Sequence, residues 1–137
     1  MRKGLLFSWC LLLAVTVGAQ QFAFKNYTTH DGLVQTDITD IKQDLKGNIW
    51  IGTNGGISIF DGNKFTNYDD HDLLQSLRIN ALLCDSDGIM WIATRNGLLK
   101  YENGFEVAFK PNAGHDNVVS CLSSNSQNLL LFVCNGQ

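Results

Sequence analysis

Asp44-Leu-Lys-Gly-Asn-Ile-Trp-Ile-Gly-Thr53 reappears forty-one residues on as Asp85-Ser-Asp-Gly-Ile-Met-Trp-Ile-Ala-Thr94, with Asp, Gly, Trp, Ile and Thr in register. Shifting the chain by that interval and comparing 24–62 with 65–103 gives thirteen identities in 39 positions. Besides the quoted string they include Phe24/Phe65, Asn26/Asn67, Tyr27/Tyr68, His30/His71, Asp31/Asp72, Leu33/Leu74, Ile38/Ile79 and Gly56/Gly97. A shift of 40 lays Val119-Ser-Cys-Leu122 on Ile79-Asn-Ala-Leu82 and puts Leu131 where Trp91 stands, so the third copy is degenerate. Periods near 40 residues belong to stacked units, either propeller blades or helical solenoids.

The pattern inside each unit chooses between them. Ile49–Thr53 and Ile89–Thr94 are short apolar, β-branched and aromatic runs bounded by Gly and Asn, which is how strands read. Gly47 and Gly88 supply the turn that joins each run to the strand before it, since such turns need residues that tolerate positive φ. No window carries a sustained helical spacing of apolar residues. Each unit therefore predicts four antiparallel strands, at about 38–44, 49–53, 57–60 and 64–68, then at about 79–85, 89–94, 98–101 and 105–109. The fold class is all-β: an incomplete β-propeller of about two and a half four-stranded blades. Blade 1 is expected over 38–78, blade 2 over 79–117 and a truncated blade 3 over 118–137. Phe24-Lys-Asn-Tyr27 matches the outer-strand residues Phe65-Thr-Asn-Tyr68 and predicts a closing strand and loop over 20–37.

Ahead of the repeats, Arg2 and Lys3 precede an apolar run from Leu5 to Val17, and Val17-Gly-Ala19 ends it with a cleavage-site pattern. This is the form of a secretory signal peptide over 1–19, cut near Ala19-Gln20. A run of thirteen residues is too short to cross a bilayer. Cys10 follows Trp9 rather than a small residue, which argues against a lipid anchor. The net charge of −3 provides no basic field for nucleic acid. Cys84, Cys121 and Cys134 are an odd set without a C-x-x-C spacing, and are expected to be small buried hydrophobes.

The strings Asp31-Gly-Leu33, Ile38-x-x-Ile41, Asp44-x-x-Gly47-x-x-Trp50-Ile-Gly-Thr53 and Gly56-Ile57 resemble the two-component regulator propeller repeat. So do Ile79-x-x-Leu82, Asp85-x-x-Gly88-x-x-Trp91-Ile-Ala-Thr94 and Gly97-Leu98. The likeness covers about 24–109 well and 118–134 poorly. It implies a periplasmic sensor propeller ahead of a membrane helix and a histidine kinase in a hybrid two-component system, responding to an extracellular ligand such as a polysaccharide fragment. A kinase phospho-acceptor box and a nucleotide-binding glycine loop are not found in these 137 residues.

Most of the eye-catching residues read as scaffold. Trp50 and Trp91 lie mid-strand, where large aromatics fill the space between blades. Asp44 and Asp85 are expected to hydrogen-bond the turn backbone, and Thr53 and Thr94 to bond across strands. Asp85-Ser-Asp-Gly88 lacks the ligand spacing of a calcium loop and resembles the Asp box of sialidase propellers, which is a turn. Hydrolysis would need a paired acid and base, and no two carboxylates are paired by the sequence. His30-Asp31, His71-Asp72 and His115-Asp116 recur between units. The candidates for a ligand face are accordingly His30, Asn54, His71, Arg95 and His115, set against the simpler reading that each Asp starts a turn. Asn26-Tyr-Thr28 has the form of a glycosylation sequon.

The expectation for function is a non-catalytic sensor-propeller fragment of a signal-transduction system, with no cofactor and no metal. Its partners would be a small molecule or oligosaccharide and the remaining blades. The alternative is a short carbohydrate-binding propeller protein whose copies close one ring. A sialidase-like hydrolase is the third class, and it lacks its catalytic pair.

Overall fold

The computed structural model describes residues 24–69, 78–110, 118–127 and 129–135. The expected signal peptide and its cleavage site lie outside these residues, as do His71 and His115.

Two four-stranded antiparallel sheets carry the two strong repeats. Blade 1 is β1 (Ile38–Gln43), β2 (Ile49–Thr53), β3 (Gly56–Phe60) and β4 (Phe65–Tyr68), hydrogen-bonded in chain order. Blade 2 repeats the order with β5 (Ile79–Cys84), β6 (Met90–Thr94), β7 (Gly97–Tyr101) and β8 (Phe105–Phe109). The third unit is the two-stranded pair β9 (Val118–Ser124) and β10 (Leu130–Asn135). The β1–β2 and β5–β6 turns are tight because Gly47 and Gly88 hold φ of 91° and 86°, where a Cβ would be strained.

The first strand of every unit skips one residue in its ladder. Thr39 is bypassed between the pairs Ile38↔Thr53 and Asp40↔Gly52, Asn80 between Ile79↔Thr94 and Ala81↔Ala93, and Ser120 between Val119↔Cys134 and Cys121↔Val133. These bulges fall at the same place in each copy, so the repeat extends to its irregularities.

The core lies in the two seams between units rather than within any sheet. Trp50 and Ile57 of blade 1 meet Ile79, Leu82, Met90, Ile92 and Leu99 of blade 2 in one buried cluster. Ala93 and Leu98 of blade 2 meet Val119 in the other, with Trp91, Leu122 and Phe132 packed around them. Strand alternation explains how β6 serves both seams, since neighbouring residues point to opposite faces. Two polar bonds cross the seams as well: the Leu82 N–H donates to Asp40 Oδ2 at 2.8 Å, and Asn80 Nδ2 donates to the Val119 carbonyl at 2.8 Å.

Two expectations need correction. Residues 24–28 form no strand. A strand needs a ladder partner, and here the segment instead lies on the outer half of blade 1, where Tyr27 meets Phe60 and Phe65 at 5.1 and 5.5 Å. A 3-10 turn at Thr29–Asp31 and the bond from Asn67 Nδ2 to the Gly32 carbonyl hold it there. The cysteines are not buried hydrophobes either: Cys121 is exposed, and Cys84 and Cys134 are half-buried, all as free thiols. Cys121 follows the bulge in β9 on the side that no further sheet covers within the described residues.

Candidate functional site

The repeated string builds a small polar cage inside each first hairpin. Asp44 Oδ1 accepts from the backbone N–H of Lys46 and Asn48 at 2.9 and 2.8 Å. Its Oδ2 accepts from Asn48 Nδ2 and from the indole Nε1 of Trp50, at 2.9 and 3.0 Å. Asp85 repeats this with the N–H of Asp87 and Ile89 and with Trp91 Nε1 at 2.8 Å. The carboxylate thus ties its turn to the tryptophan six residues later. Only the turn half of that job was expected; the indole half was signalled by a Trp at the same distance after Asp in both copies. Burial pushes the Asp44 carboxyl up, but the bonds from Trp50, Asn48 and the Lys46 backbone outweigh it and hold the group below its ordinary value.

Thr53 and Thr94 close the opposite end of the second strand. Each hydroxyl donates to the carbonyl of its ladder partner, Gly56 or Gly97, at 2.9 and 3.0 Å, and accepts from the turn N–H of Gly55 or Asn96. Trp50 is 2% exposed, with its ring against Tyr101 and Phe105 at 5.0 and 6.4 Å. An indole so covered, with its N–H already donated, is packing and not a sugar platform.

Of the ligand-face candidates, Asn54 and Arg95 sit in the β2–β3 and β6–β7 turns, exposed and at corresponding ends of the two blades. The segment ahead of β1 joins them there: the Asn54 N–H donates to the Asp37 carbonyl at 3.2 Å, and Gln35 lies over Gly55. His30 is exposed in its 3-10 turn, where Asp31 is occupied in a capping box with Thr28. The Thr28 backbone and hydroxyl bonds lower the Asp31 carboxyl. Asp31 therefore acts as a turn residue.

A cleft that the sequence did not announce lies at the other end of the blades. It has a volume of about 260 Å³ and opens between the Asp44–Lys46 turn of blade 1 and the Asp87–Gly88 and Tyr101–Asn103 turns of blade 2. Its floor is Trp50 and Met90, and its charged rim is Asp44, Lys46, Asp87 and Glu102. These turn residues were read one hairpin at a time, and the cleft exists only where two hairpins face each other. Among the described residues no group of three or more His, Cys, Asp or Glu could hold a metal ion, and no helix is long and apolar enough to cross a membrane.

Comparison with known proteins fits this architecture. The two-component regulator propeller family matches residues 32–55 and 73–96. The histidine kinase P4 of Formosa agariphila is 46% identical over 55 residues, which is 39% of this chain and 4% of that protein. An extracellular domain assigned to a hybrid two-component system of B. thetaiotaomicron superposes with a TM-score of 0.68 at 26% identity, over 82% of this chain and 16% of its own. A further B. thetaiotaomicron extracellular domain, assigned to a one-component system, shares the fold with a TM-score of 0.70 at 23% identity, over 91% of this chain and 18% of its own. The chain spans less than a fifth of the length of each of these relatives.

Proposed function

We propose that this chain, which carries two repeats of the two-component regulator propeller family, belongs to the non-catalytic, ligand-sensing part of an exported sensor whose whole protein is a histidine kinase. The observation that carries the reading is the likeness to the extracellular domain of a hybrid two-component system over 82% of the chain. The kinase of Formosa agariphila adds a relative in which such a segment accompanies a kinase. The chemistry agrees: the conspicuous Asp, Trp and Thr residues are all spent on holding hairpins, which leaves recognition to other residues such as Asn54 and Arg95 in the exposed turns.

The ligand is an oligosaccharide in this reading, held at the end of the blades that carries Asn54 and Arg95. Loops on a rigid scaffold are where propellers vary without cost to the core. The signal peptide over 1–19 directs the chain to the periplasm.

A panel of oligosaccharides added to the full chain in a thermal-shift assay tests the ligand class and the face together. The expected result is a raised Tm with one sugar class, lost in Arg95→Ala and Asn54→Ala and kept in Lys46→Ala. Loss in Lys46→Ala alone would move the site to the inter-blade cleft. No shift with any sugar would remove the oligosaccharide. N-terminal sequencing of the exported chain checks the cut after Ala19.

A further inference from the structure

The segment ahead of β1 holds one side chain in a place that packing alone does not explain. Gln35 reaches across the β2–β3 turn, and its Oε1 is buried there without a hydrogen-bond partner. No other buried side-chain oxygen or nitrogen among the described residues is left in that state. Buried acceptors are normally paired, so an orphan of this kind calls for a cause.

Gly55 makes the room for it. A Cβ on Gly55 would lie 2.7 Å from Gln35 Oε1 and 3.3 Å from its Cδ. The turn itself does not require glycine there, because the positive φ falls on Gly56 and Gly97 and not on Gly55. Blade 2 builds the same turn with Asn96 in the Gly55 place: each N–H donates to the threonine hydroxyl two residues before it, at 3.0 and 3.1 Å. At the shift of 41, Ser76 stands where Gln35 stands. The first unit thus couples a long amide with a bare turn position, and the second a short side chain with Asn96.

The backbone on either side of Gln35 is pinned. The Val34 N–H donates to Ser58 Oγ at 2.9 Å, Leu33 is buried, and the Asp37 carbonyl accepts from the Asn54 N–H at 3.2 Å. What is free to move is the side chain, whose terminal torsion has broad wells. An unpaired buried oxygen makes its seat over Gly55 costly, which lowers the barrier to leaving it. Gln35 as a whole is only half-buried, and the neighbouring Asn54 is exposed.

We propose that Gln35 is a ligand-reading residue of the face that carries Asn54: its amide leaves the Gly55 seat and grips two adjacent hydroxyls of a sugar, accepting from one through Oε1 and donating to the other through Nε2. This rests on the oligosaccharide reading above and sharpens it to a ligand with a vicinal pair of free hydroxyls. The chemistry of the seat selects that class. An orphaned acceptor is satisfied by a donor, which a hydroxyl supplies and an ionised carboxylate or an apolar group does not.

Calorimetric titration of the full chain with the sugar that raises its Tm tests this. Gln35→Met keeps the reach of the side chain and removes both polar atoms. Without sugar it is expected to melt several degrees above wild type, since the unpaired oxygen is gone. With sugar its Kd is expected to weaken about three- to tenfold. Gly55→Ala drives the amide from its seat, because the atom it meets is the tip of a flexible side chain, and is expected to bind the sugar at least as tightly as wild type. Wild-type affinity in Gln35→Met would overturn the proposal and leave the oligosaccharide reading standing, as would a Gln35→Met that melts below wild type without sugar. Should Gln35→Met not fold, Gly55→Ala decides, and a weakened Kd there overturns the proposal. No Tm shift of the wild type with any sugar would bring down both readings.

Discussion

Blades 1 and 2 hold the same Asp–Trp cage in the same hairpin, yet their tryptophans end in different surroundings. Trp50 is 2% exposed under Tyr101 and Phe105 of blade 2, while Trp91, facing the degenerate third unit, is only half-buried. The difference is not in the carboxylate–indole bond, which the two hairpins make at 3.0 and 2.8 Å. It comes from the neighbour: the third unit offers Val119, Leu122 and Phe132 where blade 2 offers the edge-to-face aromatic pair Tyr101 and Phe105. A repeat motif thus determines its own hairpin and leaves its burial to the next unit along. The third unit shows the motif coming apart in an orderly way. Asn125 stands in the Asp position and still accepts the turn N–H groups of Gln127 and Leu129 at 2.9 Å, while Leu131 has replaced the tryptophan that needed the second oxygen.

The largest effect should come from removing the two indoles separately. Trp50→Ala is expected to cost about 3–5 kcal/mol, as large core truncations do, and Trp91→Ala distinctly less. Urea unfolding of both variants measures this, and equal losses would show that the neighbour does not set the burial. Next in size is the carboxylate. Asp85→Asn keeps a turn acceptor but can set an amide donor against the Trp91 N–H, for a loss of about 1–3 kcal/mol. Asn125→Asp, with no indole to serve, should stay within about 0.5 kcal/mol of wild type. Comparable losses at the two sites would break the argument that Asp and Trp are a coupled pair.

A smaller effect is the acid dependence. The Asp44 carboxyl, held below its ordinary value of 3.8, stabilises the fold fully above that value and less as pH falls through its lowered folded value. Thermal melts between pH 5 and about pH 2 should therefore decline more steeply for wild type than for Asp44→Asn, which has no carboxyl to protonate. The smallest test is chemical. Cys121 is exposed, whereas burial raises the Cys84 thiol, so a maleimide should label Cys121 first and Cys84 more slowly. Preferential labelling of Cys84 would place the covered seam elsewhere.

The elements legible in the sequence are those whose causes are local. Strand ends fall within a residue or so of the reading because Gly47 and Gly88 sit at positive φ between runs that alternate faces. What escaped is what two units make together. The inter-blade cleft needs the Asp44 turn and the Asp87 turn at once, and the exposure of Cys121 depends on which sheet lies beyond β9. The Phe24-Lys-Asn-Tyr27 segment carries the letters of an outer strand, but letters do not supply a ladder partner, and its tyrosine found aromatic rings on blade 1 instead. Of the ligand-face residues, Asn54 and Arg95 were placed by their turns, whereas no local pattern says what those turns bind.

The Asp–Trp cage has every bond inside one hairpin, while Gly52, whose missing Cβ leaves room for Ile79, answers to a residue in the following unit. A tandem duplication can therefore copy the cage whole, and the copy works at once wherever it lands. The joint between copies is inherited differently: each new neighbour must be refitted by a matched pair of changes, one on either side, and until both have happened the lineage carries a strained wheel.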